Sequence, residues 1–482
     1  MDWWLYVIIG VGGAVAMLAL ILFIRALAFN PKKVEIPPSE PVDFDKEKAV
    51  KDLQDMIKLR TISRQNKEEE EQEQFDLFER LLRERFPILA ERGVFEKVGE
   101  RALLFKIPGA EEGNPAVFMA HYDVVPALEK AWKKDPFGGE IENDVLWGRG
   151  ALDTKISLNA IMQASETLLC DGFTPLRDVY LAFAGDEEIA GTGAQEIIAL
   201  FEERHITPAF VLDEGGAVVQ NVFPGVNKQC ALIGIAEKGM MDLLFETNCG
   251  GGHASAPPAH TGIGKLSNAC VRMENNPYPF RLTKPVKEMF DTLGRHSSFG
   301  YKFIFANLWL FKPILNSMAK KKGGEMNALM RTTCAFTQME GSRARNVLPP
   351  DAKMVANFRI IGGDTPYTVL SRAKKTIRDK KVSIKMLYAV APSRESVTDC
   401  QEYKTISNAI SSTFSKVVVS PYLMVACSDS RHYGKISDKV YRFSPMALTN
   451  EERATIHGND ERVPVATIYK SVEFYMRLLL NC

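Results

Sequence analysis

The sequence predicts an α/β fold carried by a mainly parallel sheet, with a membrane-length apolar helix ahead of it. Short apolar β-like runs alternate with amphipathic helical patterns, and residues 3–24 form one uncharged stretch. The chain is also large: 482 residues, 46% hydrophobic and 25% charged, allow roughly two to four domains with real cores. Its 60 Lys and Arg balance 60 Asp and Glu, which leaves no cationic field to attract nucleic acid and excludes that class of partner. The eight cysteines contain no C-x-x-C pair, so neither a zinc knuckle nor a dense disulfide framework is expected.

Taken in order, residues 3–24 would reach about 33 Å as a helix, enough to cross a hydrocarbon core. Trp3, Trp4 and Tyr6 sit where an interfacial aromatic belt would, and Arg25, Lys32 and Lys33 follow. A retained single-pass anchor over residues 1–29 is expected, with the body on the cytoplasmic side by the positive-inside rule. The competing reading is a cleaved signal, for which Ala26-Leu27-Ala28 offers a site. The apolar run exceeds the roughly 7–15 residues of a signal core, and no basic residue precedes it. Residues 30–43, with Pro31, Pro37, Pro38 and Pro41, read as a stiff spacer. Residues 45–59 carry Ala49, Leu53, Met56 and Ile57 at helical spacing, and Phe75, Phe78 and Leu82 mark a second helix. The acidic run 68–71 between them reads as a solvated face. β-like runs follow at 102–107, 116–120, 179–184 and 209–212, the last three separated by helical patterns that include 156–169 and 194–201.

Three of these runs end in chemistry: His121-Tyr122-Asp123 after the second, Gly185-Asp186-Glu187-Glu188 after the third, and Asp213-Glu214-Gly215-Gly216 after the fourth. Ligands of open α/β sheets bind at the carboxyl ends of the strands. Asp153 lies in the glycine-loosened loop 148–155, ahead of a helix, where a single acid would ordinarily be a cap. Four acidic or His clusters at comparable positions need more than turn propensity. Converging carboxylates repel unless protons or cations neutralise them, and imidazole with oxygen suits zinc, with manganese or cobalt as rivals. A binuclear divalent metal site is the economical reading.

The segments His121-Tyr122-Asp123-Val124-Val125-Pro126, Gly148-Arg149-Gly150-Ala151-Leu152-Asp153, Gly185-Asp186-Glu187-Glu188 and Asp213-Glu214-Gly215-Gly216 resemble the successive motifs of a family of co-catalytic zinc hydrolases. That family contains carboxypeptidase S, aminoacylase-1, glutamate carboxypeptidase and succinyl-diaminopimelate desuccinylase. Segments 429–433 and 441–445 place the chain nearest the carboxypeptidase S branch and its N-fatty-acyl-amino-acid hydrolase relatives. The resemblance implies two Zn2+ ions, one held by His121 and Asp213, the other by Glu188 and His457, with Asp153 bridging. It makes Asp123 the residue that orients His121, and Glu187 the general base that takes a proton from a bridging water and gives it to the leaving amine. His253 would donate to the scissile carbonyl oxygen, Asn346 and Arg359 would contact the substrate, and Arg359 would clamp its free carboxylate. Asp429 and Arg431 belong to a substrate-side loop, and His432, a rival ligand, is kept there as a pocket residue. The family organisation implies catalytic parts at 44–233 and 394–482, with an inserted α+β lid at 234–393 through which homodimers can form.

The aromatic stretch 297–318 is unusual for a lid; it is read as core, with an apolar patch that meets a membrane or an acyl chain as the alternative. The activity expected is amide hydrolysis that releases an amino acid from a peptide or an N-acyl-amino acid. Hydrolysis or synthesis of N-fatty-acyl-amino acids is the alternative within the enzyme class. A membrane-tethered binding protein on a decayed scaffold is the alternative outside it, and the presence of Glu187 and His253, needed only for turnover, argues against it.

Overall fold

A computed structural model describes residues 3–33, 41–221 and 223–482. Pro37 and Pro38 of the expected spacer lie outside the described residues, whereas Pro31 and Pro41 lie within them.

Strand alternation builds the centre of the molecule. In Ala116–His121, Phe118 and Ala120 face one side of the sheet, beside helices Lys155–Cys170 and Val465–Leu479. Val117 and Met119 face the other, towards helix Gly193–Glu203. Both faces are covered, so every residue of this strand and of Val179–Ala184 is buried.

The sheet has eight strands and is mixed, which corrects the expectation of a mainly parallel one. Val179–Ala184, Ala116–His121, Phe210–Val219 and Val440–Ala447 are neighbours in that order and pair in parallel. Val94–Val98 and Ala102–Ile107 form a hairpin that adds to the edge antiparallel, a pairing that needs only a short turn instead of a crossover helix. Cys230–Glu237 also runs antiparallel to Phe210–Val219.

A second sheet of four antiparallel strands follows, ordered Thr333–Glu340, Asp351–Ile360, Gly239–Asn248 and Ser383–Val390. Helices Gly262–Asn275 and Pro366–Ile377 close its core. Helix Lys284–Arg295 does not join that core: Val286, Met289, Phe290 and Leu293 pack with Leu232, Val418 and Tyr422 at the edge of the large sheet. The stretch 297–318 becomes helices Phe299–Ala306 and Leu308–Lys322, of which only Phe305, Ala306, Leu315 and Ala319 have buried side chains. The reading of this stretch as core is therefore overturned for most of its aromatic residues.

The acidic run 68–71 is also corrected in part. The Glu70 side chain is buried and ion-paired with Arg101, and it accepts the Arg64 N–H at 2.7 Å. The apolar N-terminal stretch forms helix Trp3–Ala28, long and apolar enough to cross a membrane.

Candidate metal centre

His121 closes its strand and points at the carboxyl edge of the sheet. Its Nε2 stands 3.0 Å from Asp153 Oδ1 and 3.5 Å from Glu214 Oε1. The other oxygen of Asp153 lies 3.0 Å from His457 Nε2, which is itself 3.1 Å from Glu188 Oε2. One carboxylate thus faces two imidazoles, with a further acid beside each. One ligand atom each from His121, Asp153 and Glu188 fall within 4.8 Å of one another, and so do those from His121, Glu187 and Glu214. The nitrogen and oxygen donor set fits zinc.

The expected ligand Asp213 is not in this cluster. Its buried carboxylate accepts the Ser430 N–H at 3.1 Å, and Glu214 takes the place beside His121. The cause is local. Opposite strand Val440–Ala447, Asp213 pairs with Arg442 and Gly216 with Phe443, so Glu214 and Gly215 are extra residues in a bulge. A bulge bends its strand and re-aims a side chain. From sequence these residues look like a turn after the strand, yet the strand continues to Val219.

Asp123 anchors two neighbours. Its oxygens accept the Glu187 and Glu188 N–H groups at 3.2 and 3.1 Å and the Ser63 hydroxyl at 2.6 Å, which fixes the turn Glu187–Ile189. The His121 Nδ1 lies 3.0 Å from the Asp123 carbonyl and 3.4 Å from its carboxylate, leaving Nε2 turned to the cluster. At Gly185 a Cβ would meet the Tyr122 ring at 2.5 Å, so only glycine lets the acidic turn approach this closely.

Sequence reasoning missed Glu461. Fully buried, it accepts the N–H groups of Leu152 at 2.7 Å and of Gly150 and Asp153 at 3.2 Å, and pairs with Arg149 at 2.7 Å. It therefore holds the loop that presents Asp153, in which Gly150 has φ +85°. Its position four residues after His457 was the available signal. Glu237 is a similar hub: it accepts from Arg442, from Ser428 and from Arg431, and so ties the segment 428–431 to the large sheet.

Arg431 and Arg359 are held by other partners. Arg431 also donates to the Lys238 carbonyl at 3.1 Å, and Arg359 Nη1 lies 3.4 Å from Cys427 Sγ. Burial and the nearby Arg359 bring the Lys238 ammonium down to about 7. His253 is exposed on a two-residue strand paired with Val347–Leu348; its Nδ1 lies 2.8 Å from Ser255 Oγ, and the Asn346 carbonyl accepts the Ala254 N–H at 3.0 Å. Among the described residues the hydrogen bonds of this segment stay local rather than reaching the cluster. Burial lowers the pKa of His432.

Crowded acids and imidazoles set the protonation. Burial disfavours charge on His121, but Glu214, Asp123 and Asp153 outweigh it and raise the pKa well above the usual value. Hydrogen bonds to Asp153 and Glu188 raise His457 to about 10. Burial and Asp153 push Glu214 up to about 8. Burial, with Glu214, Asp429 and Glu188 nearby, raises Glu187 well above the carboxylate range. Burial and Asp213 do the same for Asp429. Cation binding must expel protons from His121, His457 and Glu214, so affinity should rise with pH through neutrality. Calorimetry in buffers of different ionisation enthalpy should read about three protons released for the pair of cations together near pH 7. A pH-independent affinity would contradict this protonation scheme.

The model of peptidase family M20/M25/M40 matches residues 117–481. Across 476 residues the chain is 34% identical to probable carboxypeptidase S-like 2 of Dictyostelium discoideum, covering 96% of this chain and 91% of that one. It is 36% identical over 452 residues to the N-fatty-acyl-amino acid synthase/hydrolase PM20D1 of Mus musculus, covering 92% and 90%. The fold matches an M20 family metallo-carboxypeptidase from Sulfolobus solfataricus with a TM-score of 0.67 at 18% identity, over 89% of this chain and 98% of that one.

Proposed function

The chain belongs to peptidase family M20/M25/M40, and on that premise we propose a membrane-anchored, two-zinc amide hydrolase that releases an amino acid from a peptide or an N-acyl-amino acid. The observation that carries this reading is the position of Asp153 between two imidazoles, 3.0 Å from each. His121 and Glu214 would hold one ion and His457 and Glu188 the other, with Asp153 shared. Glu214 replaces Asp213 in this assignment. Bound ions of this kind polarise a scissile carbonyl and acidify a water.

The chain's own residues supply the rest. Glu187, buried and raised in pKa, accepts a proton from the attacking water and returns it to the departing amine. Asp123 holds the backbone of that turn and the ring of His121 in register. Arg359 and Arg431 would bind the substrate carboxylate, which a planar guanidinium holds through two parallel hydrogen bonds. Residues 234–393 would act as the lid, with His253 reaching the carbonyl oxygen of a substrate, from a second copy of the chain in a homodimer.

The ligand assignment has its own check. Glu214→Gln should cost about one equivalent of zinc by mass spectrometry of the desalted protein, whereas Asp213→Asn should keep both. The reverse pattern would restore Asp213 as the ligand.

Retention of the N-terminal helix as an anchor is supported by buried Asn307. Its side-chain Oδ1 accepts the Arg25 Nε–H at 3.1 Å and its Nδ2 donates to the Leu22 carbonyl at 3.0 Å, so removing the helix would strip these partners. The basic flank puts the body on the cytoplasmic side.

Hydrolysis or synthesis of N-fatty-acyl-amino acids is the second reading, favoured by the 36% identity to a synthase/hydrolase of that class. Incubating the zinc-loaded full chain with peptides and N-acyl-amino acids of graded acyl length, and weighing the released amines by mass spectrometry, tests both. Release of amino acid only from long-chain acyl substrates selects the second reading. No release from any member refutes the hydrolase.

A further inference from the structure

We propose that helices Phe299–Ala306 and Leu308–Lys322 form a second membrane contact, lying in the plane of an acidic phospholipid surface beside the anchor. The proposal rests on the anchored reading of helix Trp3–Ala28 and extends it to a part of the body far away in sequence.

Leu308–Lys322 is two-faced. Leu315 and Ala319 are buried in the cluster that contains Phe223, Phe290 and Tyr422 at the edge of the large sheet. Trp309, Leu310, Pro313, Ile314 and Met318 follow the helical period on the other side, and Trp309, Ile314 and Met318 are 54%, 53% and 56% exposed. Phe299 and Tyr301 of the preceding helix add to this face at 47% and 40%. An apolar face of this kind, ending in Lys320, Lys321 and Lys322, has the composition of a helix that lies in a lipid interface.

Its position identifies the occupant as lipid. The anchor touches the body through buried Leu22 and Ala26, the Phe23 ring lies 5.7 Å from Phe299, and Arg25 donates to the Ala306 carbonyl at 2.9 Å. Residues 3–21, on the far side of this contact, project about 28 Å as a helix, close to the roughly 30 Å of a hydrocarbon core. The pair of helices therefore sits at the level where the bilayer meets water. Lys33 and Lys320–322 add positive charge there, while Lys32 pairs with Asp291 at 3.5 Å, and this charge suits anionic headgroups.

The test uses the full chain in vesicles of phosphatidylserine with phosphatidylcholine brominated along its acyl chains. Subtracting the tryptophan emission of Trp309→Phe from that of the wild type isolates Trp309. Its emission should be roughly halved by the bromolipid relative to unbrominated vesicles, as expected for a ring several ångströms into the interface. Alkaline carbonate extraction of the same vesicles reports the anchor separately. Quenching of Trp309 supports the proposal whether or not the chain resists extraction. An unquenched Trp309 in a chain that resists extraction overturns the in-plane contact and leaves the anchor standing; an unquenched Trp309 in an extracted chain overturns both. Protection of Trp309 by self-association, seen as a doubled mass in light scattering with no bromolipid quenching, overturns it in favour of a protein interface.

Discussion

Asp153→Ala is expected to lose both cations and all measurable turnover. Every other acid in the cluster serves one imidazole, but Asp153 faces two, with one oxygen for His121 and one for His457. Removing it leaves the two half-sites unlinked, each short of a charge needed to compensate a dication. Hydrogen bonds of the Asp153 backbone to Glu461 persist in the variant, so the loop keeps its place and the loss is of ligand, not of fold. Zinc content after gel filtration should fall from about two equivalents to a small fraction, while far-ultraviolet circular dichroism is unchanged. A variant that retains two equivalents would remove Asp153 from its bridging role.

Glu187→Gln should separate binding from chemistry. The side chain is the same size and the turn that carries it is fixed through backbone N–H groups, so both cations and the substrate should still bind. What disappears is a carboxylate able to take up and return a proton, whose pKa burial and then the neighbouring acids raise. The expected fall in kcat is on the order of 10^2 to 10^4, or about 3–5 kcal/mol, with KM little changed. Steady-state kinetics beside metal analysis reads both quantities. Wild-type turnover in this variant would exclude Glu187 as the proton shuttle.

Much of the centre could be read along the chain because strands are short and their ends are conspicuous. The runs that end at His121 and before Glu187 are strands, and the loop that carries Asp153 precedes a helix. His457 came only from resemblance to a family, since nothing local marks it among seven histidines. The approach of Glu214 to His121 was out of reach because telling which of two adjacent acids faces an edge needs the strand's register, and a bulge alters it. Glu461 was missed because its partners are amides of residues about three hundred positions earlier, a relation that its place four residues after His457 does not disclose. What covers the helices that follow residue 284 was not legible for a related reason. Their apolar periodicity shows that one face is buried, but not whether the covering surface is the small sheet, the large sheet or a membrane.

The account stands on five side chains, His121, Asp153, Glu188, Glu214 and His457, gathering a pair of cations. Anomalous diffraction from crystals of the zinc-loaded chain, recorded on both sides of the zinc edge, tests this directly. Two peaks on either side of Asp153, one beside His121 and Glu214 and one beside His457 and Glu188, are the predicted result. A single peak elsewhere, or none at the carboxyl edge of the large sheet, would contradict it.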